Sequence, residues 1–226
     1  MEKKISIAID GPAGAGKSTI ARRLAKELGF YYVDTGAIYR TVAYFFDLWG
    51  ISPKDADGIR RYIDELNIAM EYDEEGVQHM IMNGMDVTGD IRTQDISQKA
   101  SLVSAQPLVR DLLLEMQREV ARKHNVIMDG RDIGTVVLPK ATVKIFLTAT
   151  PEIRAQRRTK ELAARGEKAD YARILREIQQ RDYQDTHREI APLKMARDSI
   201  KVDTSQMNLE EVVAHIREIV EKKVTQ

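Results

Sequence analysis

The sequence of 226 residues predicts an α/β fold built on a parallel sheet. Three observations predict it. Short apolar runs without polar alternation recur along the chain, as strands covered on both faces require. Between them lie stretches whose apolar residues fall at helical spacing. One of the apolar runs leads straight into a glycine-rich loop, "DGPAGAGKST" at 10–19, which breaks off the hydrophobic segment and then supplies a lysine and two hydroxyls.

Taken in order, Ile5 to Ile9 is isoleucine-rich and bounded by glycine, and reads as a buried strand. In "STIARRLAKELG", Ile20, Leu24 and Leu28 recur every fourth residue and Gly29 gives a stop signal, so an amphipathic helix follows. A second strand at 30–34 ends in Asp34, and Asp34 or Thr35 can cap a helix running from Ala37 to about Leu48. The stretch 66–88 holds short β-like runs around Asn83-Gly84, a strong hairpin signal, and predicts a small β insertion. Helical pattern from about Thr93 to His124 is broken near Pro107. Strands are expected at 126–129 and 143–148. A helix then opens at Pro151 with Thr150 as its cap, and another runs from Tyr171 to about Glu189. A last strand at 199–203 and a terminal helix from Leu209 to Val224 complete the alternation. No internal repeat or low-complexity linker is visible.

Composition narrows the function classes. Hydrophobic residues form 43% of the chain, enough for a sizeable core. Basic and acidic residues balance at 35 each, so no net charge draws the chain to a nucleic-acid polymer or an anionic membrane, and any anion site must come from local clustering. The absence of cysteine excludes disulfides, thiolate metal sites and cysteine nucleophiles. No cleavage site follows the first apolar run and no stretch reaches membrane-span length. A soluble cytoplasmic protein is expected, acting as a monomer.

Gly11-Pro12-Ala13-Gly14-Ala15-Gly16-Lys17-Ser18 fits the P-loop pattern, and Thr19 continues it into the helix. Glycines let successive backbone N–H groups turn toward phosphate oxygens with no Cβ in the way. The following helix adds the positive end of its dipole. Lys17 is placed to reach the β- and γ-phosphates of a nucleoside triphosphate, and the Ser18 hydroxyl to ligate Mg²⁺. The second substrate must be sought among the arginines. Arg40 lies about one turn into the helix after "DTGAIYR". In "DGRD", Asp129 and Asp132 flank Arg131 at a strand end, where open α/β sheets bind ligands, and Asp129 stands where an acid supports Mg²⁺. Along 171–189 the stripe begun by Ile174 and Ile178 continues as Arg181, Asp185 and Arg188, so a face that starts core-like turns charged. Guanidinium forks on such a face suit phosphate. Further on, "RAQRR" groups Arg154, Arg157 and Arg158 ahead of a polar, Gly166-containing segment, which reads as an arginine-bearing flap with Arg158 facing the triphosphate. A P-loop alone also fits a kinase of another small metabolite, such as shikimate or gluconate, or a nucleotide-binding module without transferase activity.

The motifs together are far more specific. "IDGPAGAGKST", "DTGAIYR", "DVTGDIRTQDIS", "ASLVSAQPLVR", "IMDGRDIGTVVLP", "KIFLTA" and "RDYQDTHREIAPL" resemble the bacterial cytidylate kinases, within the nucleoside monophosphate kinases, over most of the chain. The resemblance implies a P-loop core of five parallel strands flanked by helices, in one domain of 1–226. It also implies a nucleoside monophosphate-binding insertion at about 36–95 and a lid at about 154–170. The implied reaction carries the γ-phosphoryl group of ATP to CMP or dCMP with Mg²⁺. In it Arg40, Arg131, Arg181 and Arg188 hold phosphates, Asp185 faces the sugar, and Ser101, Arg110 and Asp132 read the cytosine edge. Thr35, where many relatives carry serine, keeps the hydroxyl. "DTSQ" at 203–206 is the candidate for the adenine pocket.

Overall fold

In the computed structural model, which describes residues 4–224, the first strand β1 (Ser6–Asp10) lies at the centre of a five-stranded sheet. Its neighbours are β6 (Val126–Gly130) on one side and β7 (Val143–Thr148) on the other. β2 (Tyr31–Asp34) and β8 (Ile200–Asp203) form the edges. Every pairing is parallel, with Ile9 opposite Asp129 in one register and Ile145 in the other. Because side chains alternate along a strand, Ile7, Ile9, Ile127, Val143, Ile145 and Leu147 point to one face. There they pack against α1 (Lys17–Leu28) and α8 (Leu209–Val224). Ala8, Val33, Val126 and Met128 point to the other, into a core shared with α2 (Thr35–Leu48), α4 (Gln94–Val103) and α5 (Pro107–Lys123). Both faces are therefore covered, which explains the unbroken apolar runs.

Between α2 and α4 the chain adds α3 (Ala56–Tyr62) and an antiparallel sheet of β3 (Ile68–Tyr72), β4 (Gln78–Met82) and β5 (Met85–Asp86). Asn83 and Gly84 both adopt positive φ, 49° and 82°, between the paired Met82 and Met85, the two-residue turn that the dipeptide favours. Met80 and Met82 bury into the same core as α2, and two polar contacts fasten the insertion to the main sheet. The amide of Gln78 accepts from the Asp34 N–H at 2.7 Å and reaches back to its carbonyl at 3.4 Å, and the Tyr72 hydroxyl donates to the Tyr32 carbonyl at 3.0 Å.

The remaining helices, α6 (Pro151–Ala164) and α7 (Tyr171–His187), pack against each other beside β7. Thr150 caps α6 through the Ile153 N–H, with Pro151 in the first turn. Most elements fall where the sequence puts them. α2 starts two residues earlier than its pattern indicates, because Asp34 caps it through the Ala37 N–H. α3 is unforeseen: it has one buried residue, Ile59, and is held by the Asp55 cap. Residues 133–137 form a short wide turn that no periodicity announces. Among the described residues no helix is long and apolar enough to cross a membrane.

Candidate active site

The carboxyl ends of β1, β2 and β6 deliver three loops to one rim, where the strand order reverses around β1. The loop after β1 is the glycine loop. Gly11, Gly14 and Gly16 hold φ of 152°, 74° and 89°. At Gly11 a Cβ would meet the Leu147 carbonyl oxygen at 1.9 Å, so the strand end is pressed against β7 and admits nothing larger than glycine. Lys17 and Ser18 open α1. The Lys17 ammonium donates to the Pro12 carbonyl at 2.8 Å. Burial, with Arg131 adding like charge, lowers its pKa to about 7.

Opposite Lys17 stand the acids and arginines that the sequence singles out. One cleft is lined by Ala13, Gly14, Lys17 and Ser18, and equally by Thr35, Arg40, Ser101, Arg110, Asp129, Arg131, Asp132, Arg181, Asp185 and Arg188. They arrive from six elements that span the chain. Arg131 donates to Asp185 at 2.7 Å, and Ser101 donates to the other oxygen of Asp185 at 3.4 Å. Burial works to raise the Asp185 pKa, but Arg131, Arg181 and Arg188 outweigh it and hold the carboxyl below its ordinary range. Arg181 is half-buried, and partial desolvation with the like charge of Arg131 brings its pKa down to about 10. The Nε atoms of Arg40 and Arg181 are buried with no hydrogen-bond partner, unspent donor capacity beside the cleft. Arg40 otherwise pairs with Asp34 at 3.0 Å.

At the far end of the cleft Asp132 receives Arg110 through a short ion pair and Arg188 at 3.5 Å. Ser104 joins the same group: its hydroxyl accepts from Arg188 at 3.0 Å, and its carbonyl accepts from Arg110 at 3.2 Å. Tyr39 lies beneath the Arg110 guanidinium, 5.9 Å from ring centre to Cζ.

The donor set beside the glycine loop can be tested for a cation. Ser18 Oγ donates to Asp129 Oδ2 at 2.8 Å, and Tyr32 donates to Asp129 Oδ1 at 2.8 Å. Burial raises the Asp129 pKa and Asp34 pushes the same way, while Lys17 pulls it back. Among the described residues no cluster of three or more His, Cys, Asp or Glu side chains exists to cage a metal. One hydroxyl and one carboxylate, both hard oxygen donors, fit Mg²⁺, which keeps waters and takes phosphate oxygens for its other positions.

Other sequence-predicted residues lie elsewhere. Gly11, Pro12, Ala15 and Gly16 shape the loop from behind, and Thr19 is exposed on the first turn of α1. Arg158 is exposed, pairs with Glu161 at 3.4 Å, and does not reach the cleft. Arg154 is no free arm: at 2% exposure it donates to the carbonyls of Ala13 at 3.0 Å and Ala149 at 2.9 Å, and pairs with Asp182. Arg157 donates to Thr204, and the Ser205 hydroxyl accepts from the Thr150 N–H, which ties 203–205 to the start of α6. A second cavity runs past Pro12, Thr148, Arg154 and Asp203. Sequence reasoning passes over Asp10, Asp34's pairing with Arg40, Ser104 and Asp182. Asp10 alone carried a local signal, as an acid closing an apolar strand.

A parallel sheet with a P-loop at its centre, opening on a cleft that four arginines also line, defines a P-loop phosphotransferase. The chain belongs to the cytidylate kinase family: the family model described as Cytidylate kinase matches residues 7–222. A cytidylate kinase of Carboxydothermus hydrogenoformans is 52% identical over 217 residues, covering 96% of this chain and 97% of that protein. One of Clostridium tetani is 45% identical over 221 residues, covering 98% and 96%. Among solved structures, an uncharacterized protein from Eubacterium ventriosum superposes with a TM-score of 0.52 at 13% identity, covering 96% of this chain and 99% of that one, a likeness of fold alone.

Proposed function

We propose that the chain transfers the γ-phosphoryl group of ATP to the phosphate of CMP or dCMP, giving ADP and CDP or dCDP. The observation that carries this reading is the shared cleft: the phosphate-loop lysine and the guanidinium groups of Arg40, Arg131, Arg181 and Arg188 line one space. A module that only sensed ATP would need no second phosphate site.

In this reading the loop amides of 11–18 and Lys17 hold the β- and γ-phosphates of ATP. Lys17 leaves the Pro12 carbonyl to do so, and the phosphate charge restores its full protonation. Ser18, with Asp129 behind it, would hold Mg²⁺, which would supply charge neutralisation to the phosphates. Arg40, Arg131, Arg181 and Arg188 hold the acceptor phosphate, whose oxygen is already anionic, so no general base is required. Their charge also offsets the repulsion between two anionic substrates brought in line. Asp185, fixed by Arg131, faces the sugar. Asp132 accepts from the exocyclic amine of cytosine, while Arg110 and Ser101 serve its ring nitrogen and carbonyl. The segment at about 154–170, which carries Arg158, acts as a lid that keeps water from the triphosphate. The chain works on free nucleotides as a monomer in the cytoplasm, without a polymer or membrane partner.

The test is an ADP-coupled assay over CMP, dCMP, UMP, AMP, GMP, shikimate and gluconate. CMP and dCMP are expected to give the highest kcat/KM. Preference for a metabolite without a base, or ATP binding with no phosphorylated product, would overturn the reading.

A further inference from the structure

Asp10 is the last residue of β1 and has no part in the chemistry above. Its carboxylate is buried, 3% exposed, and both oxygens are spent on one short stretch of backbone. The Ile133 N–H donates to Oδ1 and the Gly134 N–H to Oδ2, each at 2.7 Å. These amides are the first two of the turn at 133–137. In that turn the Asp132 carbonyl accepts from Val136 at 2.8 Å and from Val137 at 3.2 Å. The opening N–H groups of such a turn have no partner within it, and Asp10 supplies one from a strand more than a hundred residues away.

The geometry points to Asp10 as a positioning residue for base recognition: by fixing the amides at 133 and 134 it sets the direction in which Asp132 presents its carboxylate to Arg110, Arg188 and the acceptor's base. This rests on the reading of Asp132 given above. Three features make it more than a loop cap. The carboxylate gives each N–H its own charged oxygen, where a hydroxyl or amide offers a single neutral acceptor atom. The support is stiff, because Asp10 precedes Gly11, whose backbone is pressed onto Leu147, while Gly134 has Lys144 and Asp10 tight against it on the other side. The position is also expensive for a carboxylate, since burial raises its pKa to about 6, with Asp132 adding like charge and Lys17 opposing it. Arg131, the other charged neighbour, feels Asp10 as a favourable charge. The same residue thus belongs to the strand that launches the phosphate loop and holds the turn that carries the acceptor's reader.

The test compares Asp10→Asn and Asp10→Ser with the wild-type enzyme, using steady-state kinetics with CMP, UMP and ATP varied in turn. The wild type must first prefer CMP to UMP; failure there would count against the reading of the site, not against Asp10 alone. With that in hand, the variants are expected to raise the KM for CMP by ~10-fold, the scale of one charge-assisted hydrogen bond. The preference for CMP over UMP should narrow, with the KM for ATP within about twofold of wild type. A general loss of structure would move both KM values and lower the melting temperature, and that result would overturn the proposal. A cycle with Asp132→Asn adds a second reading: in that background Asp10→Asn should change base preference no further. Additive effects on base preference, or a wild-type KM for CMP in the Asp10 variants, would also overturn it.

Discussion

Lys17 carries the sharpest contrast between what a residue costs the fold and what it gives the site. Its ammonium is buried beside Arg131 and Arg181, which lowers its pKa to about 7, so the folded chain gains little from the charge. Lys17→Ala is therefore expected to keep the wild-type melting temperature while kcat falls by ~10²–10³, the scale for losing one preorganised charge donor. Calorimetry and the coupled assay check the two halves, and near-normal turnover would remove Lys17 from the mechanism. The same residue was also the easiest to find, since its role is written in eight consecutive positions. Arg181, Asp185 and Arg188 were legible for a different reason: an apolar stripe that turns charged must leave the core for a polar space. Arg131 was legible from its place between two aspartates at a strand end. Ser104 and Asp182 were not. Each acquires its part only when Arg188 or Arg154 arrives from a distant segment, 84 residues away in one case and 28 in the other, and no local pattern records that approach.

At the scale of elements, the β insertion shows how a peripheral sheet is held in register with the site. Gln78 of β4 grips the backbone of Asp34, and Asp34 in turn caps α2 and pairs with Arg40. A second clamp is ionic: His79 bridges Asp86 at 2.7 Å and Asp73 at 3.3 Å, and both raise its pKa above the ordinary histidine value. A histidine bound more tightly to its proton in the folded state stabilises the fold below its unfolded pKa, and that contribution is lost as pH rises through the raised value. His79→Gln should therefore lower stability in urea unfolding at pH 6 and make little difference at pH 9. An equal effect at both values would mean that the ring acts by packing instead. The hairpin itself was readable from Asn83-Gly84, because only a few residues tolerate two successive positive φ angles. α3 was not, since its cap and single buried isoleucine give too short a stretch for any periodicity to show. The turn after Asp132 escaped for the same reason, although it carries the residue proposed to read the base.

Across the whole molecule the 35 basic and 35 acidic residues cancel, yet one cleft gathers Lys17 with five arginines against four aspartates, Asp34, Asp129, Asp132 and Asp185. A site at which two anions must meet draws on that local field, not on net charge. Raising ionic strength from about 0.02 to about 0.3 M should lower kcat/KM for CMP several-fold while the melting temperature stays nearly constant, because the buried pairs are screened far less than an approaching nucleotide. Rates indifferent to salt would show that encounter is not steered by the cleft.

Arg154 has a mechanical consequence. The fourth residue of α6, it is bonded to the Ala13 carbonyl of the glycine loop and to Asp182 of α7, which makes that point a fulcrum. From there the helix runs on to Ala164, about 15 Å away at 1.5 Å per residue. A tilt of about 10° at the root sweeps the tip through nearly 3 Å on that lever arm. Any swing of the α6–α7 hairpin is thereby geared, at its short end, directly to the glycine loop, the segment proposed to hold the triphosphate.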